Sequence, residues 1–311
     1  DGMPLLAKVW DGSKGRVGDK LGYKLCFGTA TQSMTRRIVP LRMSVWSTKE
    51  DGFTSENDKV LEVIKSLADA LGRRGIYVYD RGGDGDWLFS FFIKEGLDFI
   101  VRLVGNRSLI HWNATRLAED IARSCPLKYA QNVTFKSRGK EVSVPVESGS
   151  RPVRFAEHPD VPLYLVVVRW PRGEKPMMLL TTLEAVRSRR RLRQVVEGYL
   201  TRWRIEETIR FVKQAYELED VRLLKFSRLK SLLAIVSGVA YFAMSWLGQR
   251  DRLGVLADHI KSVSRRMFEV PEFFFYAIAD GVGRLFARHG RWHGLDGPDE
   301  PEETCQMELA L

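Results

Sequence analysis

Tyr199, Arg202, Glu206, Arg210 and Lys213 stand in the stretch YLTRWRIEETIRFVK, inside a run from Leu192 to Leu218 that holds no Pro and a single Gly. Such a run is expected to form one helix. At about 100° per residue, Tyr199, Arg202, Glu206 and Lys213 fall within about 60° of one another, with Arg210 beside them. One stripe would then carry a phenol, a carboxylate and three cations. Leu200 and Phe211 lie to one side of it and Ile205, Ile209 and Val212 to the other, so the helix is expected to be half buried with the stripe facing a cleft. A solvated face laced by i, i+4 pairs, Arg202 to Glu206 and Glu206 to Arg210, would show the same pattern, at about a few tenths of a kcal/mol per pair.

A second carboxylate stands elsewhere. Asp80 ends the short apolar run IYVYD and is followed by Gly82 and Gly83. Phosphodiester chemistry with two divalent ions needs hard oxygen ligands converging from separate elements. The carboxyl end of a buried strand is where a sheet presents one. Asp80 fits that place, and Glu206 on the helix is the natural second ligand. Asp84 and Asp86 are alternatives for the first, although they sit in the following loop, and a turn-capping role for Asp80 remains open. The acids at 80, 84 and 86 miss the spacing of a calcium-binding EF-hand loop. None of His111, His158, His259, His289 and His293 pairs with another at zinc-ligand spacing.

The elements that must hold these residues can be taken in order. Asp1 to Gly22 is rich in Gly, Asp and Lys and reads as loop, with a short apolar piece at Leu5 to Trp10. Tyr23 to Thr31 and Arg37 to Ser47 read as an antiparallel hairpin. Ser55 and Glu56 open a helix to about Leu71, with Gly72 at its end. Ile76 to Asp80 is a strand, Trp87 to Lys94 a helix and Phe99 to Val104 a further strand. From 109 to 185 the texture changes to strands at Tyr129 to Lys136, Glu141 to Val146, Leu163 to Trp170 and Met177 to Thr181, separated by Gly, Pro and charged turns. The basic Arg187 to Arg193 leads into the helix of the stripe. Beyond it come the cationic Arg222 to Lys230, an apolar helix through Ser231 to Gly248, an amphipathic tail to about Arg291 and an acidic, Pro-containing end expected to be disordered.

Composition narrows the class. The 311 residues allow one large domain or two, and 44% hydrophobic with 28% charged residues is an ordinary globular mixture. Lys and Arg total 49 against 39 Asp and Glu, a net charge of +10 that favours a polyanion partner. Cys26, Cys125 and Cys305 are scattered without metal or disulfide spacing, which suits a reducing compartment. Ser231 to Gly248 is borderline in length for a membrane span and is better read as a core helix. Trp170 could stack an unpaired base or simply sit in the core.

The spacing of Tyr199, Arg202, Glu206 and Lys213, with Trp203, Arg204 and Ile205 between, resembles the YREK signature of DDE transposases of bacterial insertion sequences, the IS-four family. YDRGGDGDW also resembles that family's second-Asp motif. The resemblance covers roughly residues 20 to 250 and is thin across 109 to 185. It implies an α/β fold, a ribonuclease H-like mixed sheet flanked by helices, interrupted by a β-rich insertion and followed by a helical C-terminal region. The divisions would be 1–108 and 186–248 for the catalytic domain, 109–185 for the insertion and 249–311 for the tail. It implies DNA cleavage at transposon ends and strand transfer, with Asp80 and Glu206 as catalytic metal ligands for two Mg²⁺ ions, Mn²⁺ being able to substitute. Tyr199, Arg202 and Lys213 would hold phosphates of the transposon end, with Arg210 and Arg81 as weaker candidates for the same work. The partners implied are double-stranded DNA, as terminal inverted repeats and target, and a second copy of the chain on paired ends, in a bacterial cytoplasm at the nucleoid and without a membrane. The family's first Asp is expected on a strand before a turn resembling Asp11, Gly12 and Ser13. Asp1, Asp11 and Asp19 read as poor substitutes, so that carboxylate and the central strand bearing it are expected upstream of residue 1, leaving a gap in the middle of the sheet. A DNA-binding remnant unable to cut is the alternative.

Overall fold

The computed structural model describes residues 3–11, 16–31, 38–137, 140–171, 175–186, 188–218, 221–247, 279–281 and 284. Its strands are β1 (Ala7–Asp11), β2 (Arg16–Gly22), β3 (Lys24–Thr31) and β4 (Ile38–Trp46), followed by helix α1 (Glu56–Ala70). Then come β5 (Ile76–Tyr79), α2 (Asp86–Glu95), β6 (Asp98–Arg102), β7 (Ser108–His111), β8 (Ala114–Leu117) and α3 (Ala118–Arg123). Strands β9 (Tyr129–Ser137), β10 (Lys140–Val153), β11 (Leu163–Arg169) and β12 (Met177–Thr181) lead to α4 (Arg189–Leu200), α5 (Arg204–Ala215) and α6 (Phe226–Tyr241). The chain divides into two compact units, Ala68–Trp203 and the remainder on either side of it.

The unit Ala68–Trp203 is built on a six-stranded sheet in the order β5-β6-β12-β11-β10-β9. β5 and β6 run parallel and the other pairings are antiparallel. LYLVVVR and MMLLT are continuous apolar runs because their strands are covered on both faces, and Leu165 to Val168 and Leu179 to Leu180 are fully buried. On one face α4 lays Leu192, Val195, Val196 and Tyr199 against Ile100, Val166, Val168 and Leu179. Gly198 permits this approach, since a Cβ there would stand 3.2 Å from Ile100 Cδ1. An aromatic layer is built by Phe92 stacked on Phe99 at 5.3 Å, with Phe89 and Phe155 beside it. α2 stops where Gly96, in the left-handed conformation, returns its N–H to Ile93 and Phe92. This mixed α/β arrangement is the expected class and is consistent with a ribonuclease H-like fold.

The other unit uses two-stranded sheets, β1 with β2 and β3 with β4. The β3–β4 hairpin is packed by α5 and α6. The Tyr23 ring, next to β3, stacks on Phe226 of α6 at 5.0 Å. α1 is capped by Ser55, whose hydroxyl accepts from the Asp58 N–H at 3.1 Å and donates to the Asp58 carboxylate at 2.8 Å. α6 buries Phe226, Leu229, Leu233, Val236 and Ala240 and leaves Ile235 and Val239 exposed. It is therefore a half-buried helix, and Phe226–Ser245 is long and apolar enough to cross a membrane by length and composition.

Three expectations change. The stretch before Tyr23 holds two strands rather than a loop, and Asp11 is the last residue of β1. The hairpin of β3 and β4 forms its own sheet instead of joining the large one. Strands β9 to β12, anticipated as an insertion, supply four of the six strands of that sheet, with β12 paired directly to β6. β5 is an edge strand of the six-stranded sheet. Asp1, Gly12, Ser13, Cys305, three of the histidines (His259, His289, His293) and the acidic end lie outside the described residues.

Candidate active site

The helix bearing the stripe is not continuous. α4 ends at Leu200, a 3₁₀ turn occupies Thr201–Trp203, and α5 starts at Arg204. Thr201 favours the break: its hydroxyl donates to the Gly198 carbonyl at 2.7 Å and competes with the helical ladder. The chain passes from one compact unit to the other at Trp203/Arg204, so the five residues are shared between units.

Within Ala68–Trp203 the structure brings Asp80 and Arg202 together. Asp80 follows β5 and caps the 3₁₀ turn Arg81–Gly83, its Oδ1 accepting from the Gly82 N–H at 2.8 Å. Its Oδ2 lies 3.7 Å from Arg202 Nη1, and the side chain is 55% exposed. Gly83 is required here, because a Cβ would come within 2.7 Å of Tyr79 Cβ. The capping role and the strand-end position thus coincide in one residue, with one oxygen committed to the turn and the other turned towards a cation. Arg81 is exposed on the same turn. Tyr199 departs from expectation: it is 6% exposed and belongs to the hydrophobic layer beneath α4, not to an open stripe.

In the other unit, α5 buries Arg204, Thr208, Phe211 and Val212. Glu206 and Arg210 are exposed and Lys213 is half-buried, three and four residues apart on the opposite side. Arg210 pairs with Glu207 at 3.3 Å, a neighbour the stripe left out.

Asp84 and Asp86, the alternatives to Asp80, have a different employment. Asp84 accepts from the Val104 N–H at 2.7 Å and from Arg107 Nε, and its side chain is 3% exposed. Asp86, 86% exposed, accepts from the same guanidinium. The Arg107 guanidinium lies over Phe89 at 4.8 Å. Burial pulls the pKa of Arg107 down, but the hydrogen bonds and charges of Asp84 and Asp86 outweigh it and hold the group above its ordinary value. A cleft of about 530 Å³ lined by Asp84, Asp86, Asn106, Arg107, Ser108 and Glu157 opens beside this lock. Arg107 and the aromatic layer were missed in the sequence, where an Arg 23 and 21 residues from its two acids carries no local signal. Trp170 packs against the hydrophobic cluster of the sheet.

Among the described residues no group of three or more His, Cys, Asp or Glu is close enough to hold a metal ion. The donor type of Asp80 and Glu206, exposed carboxylate oxygen, fits a hard divalent cation.

No curated protein matches the chain. A cryo-EM structure of the piggyBac transposase synaptic complex with hairpin DNA is similar at 13% identity and a TM-score of 0.44, over 94% of this chain and 51% of that one. The chain thus spans about half the length of that structure's chain. The transposase DDE domain family matches residues 6–242, a stretch that begins just before β1 and runs through β5, α5 and α6. By that match over most of its length, the chain belongs to the family of transposase DDE domains.

Proposed function

We propose that this chain cleaves DNA at transposon ends and transfers the freed strands, as an insertion-sequence transposase of the IS-four kind whose Tyr199, Arg202, Glu206 and Lys213 form the YREK signature. The observation that carries the reading is the extent of the family match: it takes in β5, with Asp80 directly after it, and the helix bearing Glu206. DDE transposase domains generally work with divalent metal ions. Asp80 and Glu206 are the residues that would hold them. Divalent ions held there would polarise the scissile phosphate and lower the pKa of an attacking water.

The remaining residues bind and orient. Arg202 and Arg81, on the side of Asp80, and Arg210 and Lys213, on the open side of α5, would neutralise backbone phosphates, Arg as a fork and Lys as a point charge. Tyr199, with its ring in the core, would support α4 and reach a phosphate through its hydroxyl alone. The net charge of +10 suits that partner. A homodimer on paired ends and a location at the bacterial nucleoid follow from the same resemblance.

The test is Mg²⁺-dependent nicking of a supercoiled plasmid that carries the sequences flanking the gene. The parent chain should nick, and Asp80→Ala and Glu206→Ala should each lose about a thousandfold or more. Salt-sensitive binding without any nicking by the parent would make the chain a DNA-binding remnant. Full activity in Asp80→Ala would overturn the assignment of the metal ligands. Lys213→Ala should weaken binding and reduce the salt slope by about 1.

A further inference from the structure

Trp112 lies at the tip of the β7–β8 hairpin, in the two-residue turn between His111 and Ala114. Its φ is 51° and that of Asn113 is 58°, so both occupy the left-handed region. A two-residue hairpin turn of the kind whose twist matches its strands needs this, and Asn or Gly normally supplies the first position as well as the second. A bulky aromatic there is a genuine outlier. The strain is not offset by burial, since the side chain is 78% exposed, the most open of the large apolar residues described. A strained conformation held at an exposed position points to function rather than to packing.

The tip is firmly based. His111, 5% exposed, places Nδ1 2.8 Å from the Pro152 carbonyl oxygen, and its ring meets Trp112 edge-on at 5.7 Å. Ile110 exchanges both backbone hydrogen bonds with Arg154, at 2.9 and 3.0 Å, which ties the hairpin to the chain following β10. Two cations belong to this hairpin and its anchor: Arg116 stands in β8, and Arg154 is the residue bridged to Ile110. Arg116 and Arg154 are exposed.

We propose that Trp112 is a stacking platform for an unpaired nucleobase of DNA, with Arg116 and Arg154 taking phosphates of the same strand. An indole face accepts any base, so the recognition is of an unstacked base and not of sequence, and nearby guanidinium groups follow the backbone on either side. A rigid turn under a buried histidine keeps the ring presented in the absence of DNA, which lowers the ordering cost of binding. This inference rests on the reading of the chain as a DNA-processing protein.

Fluorescence anisotropy on the full chain separates the outcomes, with an oligothymidine strand, a duplex containing a single unpaired base and an uninterrupted duplex as probes. Trp112→Ala should weaken binding of the first two about tenfold or more and leave the uninterrupted duplex and every salt slope unchanged, because no charge is lost. Trp112→Phe should restore most of the loss. Arg116→Ala should instead flatten the salt slope for the unpaired probes. Equal affinity of Trp112→Ala and the parent for all three probes would overturn the stacking role alone, and would leave the tip as a protein-docking feature. A uniform loss with a lowered melting temperature, not rescued by Phe, would mean a structural role and overturn it as well. Failure of the parent to bind any of the probes would overturn the DNA reading itself.

Discussion

Asp80 and Asp84 are four residues apart and chemically identical, yet the fold gives them opposite tasks. Asp84 is 3% exposed and held by a backbone N–H and a half-sandwiched guanidinium. Asp80 is 55% exposed, gives one oxygen to a three-residue turn and leaves the other 3.7 Å from Arg202. A carboxylate whose lone pairs are filled by buried protein donors has little left for a metal ion or substrate. One whose second oxygen meets only a partly exposed cation can exchange that contact for another. The comparison teaches that strand ends and loops do not by themselves tell a ligand from a lock; the donors around each oxygen do.

The largest expected effect breaks the comparison from the structural side. Asp84→Ala leaves Arg107 buried without its main partner and the Val104 N–H without an acceptor, at a cost of about 3–5 kcal/mol. By calorimetry the melting temperature should fall by about 10 °C. A melting point unchanged by that substitution would show that Asp84 is no lock. Asp80→Ala, by contrast, should cost about 1 kcal/mol or less, the value of an exposed cap, while removing the proposed nicking activity. Smaller again is Asp86→Ala, which strips Arg107 of an acid that is 86% exposed and should change stability by under about 0.5 kcal/mol. Asp84→Ala and Asp86→Ala measured singly and together would show whether the two acids share the guanidinium additively.

The smallest effect concerns a third acid, far from either task. Hydrogen bonds from Thr54 and Ser55 hold Asp58, at the start of α1, below the usual carboxylate range. A lowered folded-state pKa means that the capping contribution is fully present above the ordinary value of 3.8 and is lost as pH falls through the lower folded-state value. Circular dichroism melts from neutral to acid pH should show that loss in the parent and a flatter profile in Ser55→Ala. Equal profiles would mean that the cap has no effect on α1.

Much of the fold was legible in local pattern. The helix from Ser55, the strand Ile76–Tyr79, the helix and strand after it, and β9, β11 and β12 appear within a few residues of expectation, because caps, glycine stops and apolar runs act over short distances, whereas β10, expected to end at Val146, runs on to Val153. Tyr199 shows where the pattern fails. Helical angles put it on the charged stripe, but a Tyr is apolar over most of its surface, and the sheet beneath α4 claims the ring. Thr201 and the turn it favours then break the angular relation on which the stripe depended. β1 and β2 were unreadable for another reason: their Gly, Lys and Asp content lowers strand propensity, and pairing with each other is what selects the extended state.

Sequence alone nominated the residues proposed for the chemistry. Asp80 after an apolar strand, Glu206 with Arg202 and Lys213 at fixed spacing, and a basic excess are properties of the order and type of side chains, and the family match covers them all. Tertiary structure decided which of the candidates are committed elsewhere: Asp84 to Arg107, Tyr199 to the core, and the strands after residue 129 to the main sheet. It also decided that, among the described residues, the most exposed tryptophan is Trp112 on a strained hairpin tip. The physical reason is range: propensity, capping and periodicity operate within a few residues, whereas burial and the pairing of polar groups depend on partners that only the folded chain brings near.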